Sequence, residues 1–202
     1  MQTALWLLII LFSIVFHEVS HGLMAWRLGD RTAKDAGRLT LNPLKHIDLF
    51  WTVILPAVLY FSTHGRFALG MAKPVPVNFS RLRNPRRDTI LVALAGPAAN
   101  LMLAALLGQV WAQTESLIVV QAAYLNVGLA VFNLFPVPPL DGSRILAAFF
   151  PEKVYKIYFL VEKFGFVIIA ALYLSGILLK VLLPGVQLLG AVLGLPPLTM
   201  EL

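Results

Sequence analysis

Long apolar runs and short basic stretches alternate along this chain, and the alternation predicts its elements. Residues 3–26 carry no charge before His17. A run of that length matches one bilayer crossing, about 20 residues rising 1.5 Å each. Residues 27–48 are polar and basic, with Arg27, Arg31, Lys34, Arg38 and Lys45 against Asp30, Asp35 and Asp48. Within them Asp35-Ala36-Gly37 is a turn signal, and Arg38-Leu39-Thr40-Leu41 alternates polar and apolar with the period of a strand. A short cytoplasmic-side β-hairpin is expected here, with an edge able to pair with an extended peptide. The plainer alternative is a connecting loop.

Residues 49–61 are apolar but short for a span. Arg66, Lys73, Arg81, Arg83, Arg86 and Arg87 then face only Asp88. With basic loops on both flanks, residues 49–72 are expected to enter and leave on one side as a re-entrant segment; an extra span would reverse the orientation of every later element. Lys73-Pro74-Val75-Pro76-Val77 reads as a stiff extended piece, because each proline fixes its own φ and disfavours helix in its predecessor. Spans are expected over about 89–112 and 116–135. The first contains Ala95-Gly96-Pro97-Ala98-Ala99-Asn100, small residues that permit close helix approach and a proline placed to kink it. Asn100 requires a partner in lipid, in a helix–helix hydrogen bond or in a functional role. Residues 151–163, with Glu152, Lys153, Lys156, Glu162 and Lys163 among aromatic residues, suit an interfacial segment. A further span is expected over about 160–180, and residues 181–195 form a last short span or lie at the surface. The expected fold is an all-α polytopic membrane protein. It has about 4–6 transmembrane helices, the hairpin and the re-entrant segment, in one membrane-embedded domain over residues 1–202.

Composition agrees. Hydrophobic residues make up 59% of the 202 positions and charged residues 13%, against about 25% charge in soluble domains. The net charge of +6 lies between apolar runs, which points to membrane orientation and lipid contact rather than to nucleic acid. By the positive-inside rule the basic loops are cytoplasmic and the N-terminus is outside. The N-terminus lacks a basic n-region and a small-residue cleavage site, so no removable signal peptide is expected. There is no cysteine, which leaves His, Asp and Glu as metal ligands.

The candidate chemistry begins at His17-Glu18-Val19-Ser20-His21, an H-E-x-x-H pattern in the first span. Residues four apart lie nearly above one another on a helix, so both imidazoles can reach one zinc ion while Glu18 sits beside it as a base. His17 falls about 20 Å along a span of roughly 30 Å. Ionisable groups at that depth cost about 2.5–3.5 kcal/mol each when they face lipid, so the cluster needs a reason to be there. The expected return path of the later spans brings Asp141, in Pro136-Val137-Pro138-Pro139-Leu140-Asp141-Gly142, to a similar depth. It serves as a carboxylate third ligand or, more plainly, as a helix cap. A membrane metal-ion transporter is the rival reading; a catalytically silent scaffold is another. His46 and His64 lie in loops and are expected at the surface.

These residues together resemble the site-2 protease family of intramembrane zinc metalloproteases. The resemblance rests on Phe16-His17-Glu18-Val19-Ser20-His21-Gly22, on Ala95-Gly96-Pro97-Ala98-Ala99-Asn100, and on Asn133-x-x-Pro136-x-x-Pro139-Leu140-Asp141-Gly142. Arg38–Asp48 and Ala72–Asn78 are similar to a compact prokaryotic branch lacking PDZ and nucleotide-binding domains. The resemblance implies one Zn2+ per chain on His17, His21 and Asp141, Glu18 as general base, and Asn133 binding the substrate carbonyl or oxyanion. It implies a surface hairpin that holds the substrate as a strand. It also implies transmembrane protein substrates, and a multi-pass cell-membrane protein with its active site toward the cytoplasm.

Overall fold

The computed structural model describes residues 2–65, 73–151 and 161–198. The chain divides into two units, Met1–Arg83 and Asn84–Leu202, and all regular structure among the described residues is helical.

In the first unit, α1 (Gln2–Arg27) is the long helix that the apolar run predicts. Its first three turns expose Leu5, Leu7, Leu8, Ile10 and Phe12, whereas Ser13, Val15, His17, Val19, His21 and Ala25 are buried. Gly29 stops the helix with φ +114°, in the left-handed region open to glycine. The buried Asp30 then accepts hydrogen bonds from the backbone N–H groups of Thr32 (3.0 Å) and Asn78 (2.7 Å), joining the start of α2 (Thr32–Asp35) to a distant segment. Lys34 places its ammonium 4.2 Å over the Trp26 ring.

The expected β-hairpin is absent: no strand occurs among the described residues. Alternation fails over residues 38–41 because burial does not follow it. Arg38 is buried and Leu41 is exposed. A side chain holds the backbone here, with His46 Nε2 2.9 Å from the Thr40 carbonyl. His46 is therefore fully buried, not at the surface as expected; His64 is exposed. Asp48 caps the next element by accepting from Phe50 N–H (3.0 Å). A π-helical turn, Leu49–Ile54, then leads into α3 (Leu55–Ser62). The chain leaves α3 through His64 and Gly65, both at positive φ. The rest of the expected re-entrant segment, 66–72, lies outside the described residues.

In the second unit, α4 (Pro85–Thr114) opens with Pro85 in its first turn, and Asp88 accepts from the Asn84 N–H (2.8 Å). Pro97 stays inside this 30-residue helix. Asn100 and Asn126, both fully buried, join α4 to α5 (Leu117–Asn133) by a 2.8 Å amide hydrogen bond. The partner that Asn100 required is thus a helix–helix contact. A small apolar core of Ala104, Val120, Ala123, Val127 and Leu195 packs below it. α6 (Asp141–Ala148) follows the proline-rich turn. Arg144 pairs with Glu162 at 3.0 Å, partly exposed, a contact worth about 0–1 kcal/mol. The expected interfacial segment lies mostly in residues 152–160, outside the described ones. α7 (Gly165–Leu174) and α8 (Ile177–Val192) meet at 85°. The break falls at Ser175-Gly176, with Gly176 at φ +73°, not after Lys180 as the apolar runs suggested.

The expected count of about 4–6 spans is too high for what is described. Two helices, Thr3–Arg27 and Pro85–Thr114, are long and apolar enough to cross a membrane, and the bent pair makes a third only if it counts as one span. Leu117–Asn133 and Thr52–Ser62 are apolar but shorter. Apolar character alone does not separate a crossing helix from a short or broken one.

Candidate metal centre and catalytic residues

The helical register of α1 does what the H-E-x-x-H spacing requires. His17 and His21 are both buried, with Nε2 atoms 3.0 Å apart and rings edge to face at 4.6 Å between centroids. Two nitrogens bound at 2.0–2.1 Å to one tetrahedral ion stand about 3.3–3.4 Å apart. The pair is within a few tenths of an ångström of that, so the residues present fit a shared metal ion. Glu18 is half-buried, and its Oε2 accepts a 2.8 Å hydrogen bond from the backbone N–H of Val75. Ser20 turns its hydroxyl back onto the Phe16 carbonyl at 2.7 Å and takes no part in the cluster.

Asp141 and Asn133 belong to the second unit. Asn133 is the last residue of α5 and donates from Nδ2 to the Leu129 carbonyl (2.9 Å). Asp141 is the first residue of α6 and is buried at 8% exposure. Gly142 fixes its position. A Cβ there would stand 2.0 Å from the Leu134 carbonyl oxygen and 2.8 Å from that of Phe135. Only glycine lets the chain double back this tightly against the end of α5. The Asn133-to-Gly142 sequence is thus one compact turn that presents an amide at one end and a carboxylate at the other.

Comparison with known proteins draws on the same residues. The model of peptidase family M50 matches residues 5–116 and 106–176. The chain belongs to peptidase family M50. This is the site-2 protease family that the motifs resemble, in a compact form, and the protein is a metallopeptidase. A relative in Bacillus subtilis (strain 168), named "Putative zinc metalloprotease YwhC", is 34% identical over 187 residues, covering 82% of this chain and 78% of its own. Proteins named "Putative zinc metalloprotease Rip2" are 32% identical in Mycolicibacterium smegmatis and 31% in Mycobacterium tuberculosis (strain H37Rv). In each, the match covers 82% of this chain but 64% of the relative. No solved structure matched. The transporter reading finds no support in this membership.

Three features of the site escaped the sequence reading: the hydrogen bond from Val75 to Glu18, the burial of His46, and the tight contact at Gly22. A Cβ on Gly22 would lie 2.6 Å from Val75 Cγ1 and 2.7 Å from Leu39 Cδ2. The available signal was local. A glycine directly after H-E-x-x-H marks a close approach, and Pro74-Val75-Pro76 leaves a single N–H in three residues.

Proposed function

We propose that the chain is an intramembrane zinc metalloendopeptidase that cuts peptide bonds in or near transmembrane segments of membrane proteins, in regulated intramembrane proteolysis. One observation carries this: two buried imidazoles with Nε2 atoms 3.0 Å apart in the C-terminal half of a membrane-length helix, beside a carboxylate. In this reading His17, His21 and Asp141 hold one zinc ion, a His₂-carboxylate set that leaves one position open. When bound, the ion would supply Lewis acidity, lowering the pKa of a water to about 7 and polarising a carbonyl.

The chain's own groups do the rest. Glu18 takes the proton from the attacking water and returns it to the amide nitrogen as the C–N bond breaks. Asn133 carries two amide N–H donors, of which Leu129 takes one; the other serves the oxygen that gains charge on the scissile carbonyl. A substrate helix satisfies its carbonyls internally, so the cut segment must unwind locally to be reached. The basic residues between Arg27 and Asp48 support a cytoplasmic entrance for water and an outside N-terminus. Contact with lipid is expected along the exposed faces, and no nucleic acid is expected as a partner.

The test is Glu18→Gln against wild type on a tagged membrane substrate. The expected loss of cleavage is about 10²–10⁴-fold. Cleavage that survives the change contradicts the mechanism.

A further inference from the structure

Glu18 and Gly22 are four residues apart and share one face of α1. Residues 73–78 run across that face. Val75 Cγ1 fills the space that a side chain on Gly22 would need, and Val75 N–H reaches Glu18 Oε2 at 2.8 Å. Helix residues of this length and flexibility sample several rotamers. Here a fixed donor selects one and engages one carboxylate oxygen.

The segment that carries this donor is itself held at several points. Arg38, buried at 8% exposure, donates from Nη2 to the carbonyls of Lys73 (2.8 Å) and Pro74 (3.4 Å). Lys73 N–H donates to the His46 carbonyl (2.8 Å), and the His46 ring is anchored on Thr40. At the far end Asn78 N–H is tied to Asp30. Pro74 and Pro76 fix the backbone between these anchors and offer no N–H of their own. In an extended chain, residues 73 and 75 turn their polar groups one way and residues 74 and 76 the other. Across Pro74–Pro76 the edge opposite Val75 therefore has no donors and is poorly made for pairing with another strand. Its inner edge spends the donor of Val75 on Glu18. Burying a guanidinium against two carbonyls is a costly way to secure an ordinary loop.

We propose that the Lys73–Asn78 strap positions Glu18 for proton transfer through the Val75 N–H, with Arg38 and His46 as positioning residues that act through the strap. This rests on Glu18 being the base. A backbone donor is immune to side-chain change, so the device is invisible to ordinary alanine substitution at residue 75. Gly22 and the two prolines are the sequence cost of bringing it close.

The test replaces the amide N–H of residue 75 by an ester oxygen, keeping the valine side chain. Cleavage of a tagged membrane substrate is expected to show kcat about 10- to 100-fold lower, with KM within about twofold and zinc content unchanged. Arg38→Ala is expected to lower kcat in the same way and Arg38→Lys to restore part of it. A second readout needs no activity. In metal-free protein with 13C-labelled glutamate, the carboxylate stretch that disappears in Glu18→Gln is expected to shift in the ester form. Unchanged or raised kcat, an unmoved band, or loss of zinc along with kcat would each overturn the proposal. If Glu18→Gln still cleaves, the base assignment fails, while the infrared shift still reports whether the strap holds Glu18.

Discussion

At the level of single residues, the strongest constraint outside the site is Asp30. Burial alone would raise its carboxyl pKa. Hydrogen bonds from the Thr32 hydroxyl and from the backbone N–H groups of Asn78 and Thr32, with the charge of Arg81 nearby, outweigh burial and hold the pKa below its ordinary value of 3.8. A carboxyl with a depressed folded-state pKa contributes stability above its unfolded value and loses it as pH falls through the folded one. Asp30→Asn is therefore expected to lower the thermal midpoint at neutral pH, and to narrow the gap to wild type as pH drops below 3.8. Thermal unfolding at several pH values checks this, and a constant gap across that range would speak against it. His17, Glu18 and His21 were legible because helical spacing is local and fixed. Asp30 and His46 were not. Their partners, Asn78 for one and Thr40 and Lys73 for the other, are set by tertiary packing, which leaves no periodic trace in the sequence.

Among the elements, the first long helix and the Pro85–Thr114 helix were plain from unbroken apolar length. The failures share a cause. Arg38-Leu39-Thr40-Leu41 has the period of a strand but no strand to pair with among the described residues; Arg38 Nη2 donates to carbonyls of the strap instead. The last apolar run read as one span followed by a short piece, but Gly176 in the left-handed region bends it by 85° at a point that hydropathy cannot see. The Asn133-to-Gly142 turn was recognised as a break, whereas its tightness depends on Gly142 alone. Charge adds what packing does not. With the basic residues after the first helix on the cytoplasmic side, a reporter fused at position 64, at the exposed end of the Leu55–Ser62 helix, is expected to read as cytoplasmic. An extracytoplasmic signal would invert the proposed orientation and the water entrance with it.

For the whole molecule, membership of peptidase family M50 and the geometry of the His17–His21 pair lead to the same chemistry. The proposed ligand set draws on both units of the chain, one supplying two imidazoles and a base, the other a carboxylate and an amide. A first long helix whose buried histidines follow three turns of exposed apolar residues suits an enzyme that must keep a hydrated site within a lipid-facing helix. The most direct test is the zinc content of purified protein, measured by elemental analysis in wild type, His17→Ala, His21→Ala, Asp141→Ala and Glu18→Gln. The account predicts about one zinc per chain in wild type and Glu18→Gln, and marked loss in the other three. Full zinc retention in Asp141→Ala, or its loss in Glu18→Gln, would contradict the assignment of ligands and base.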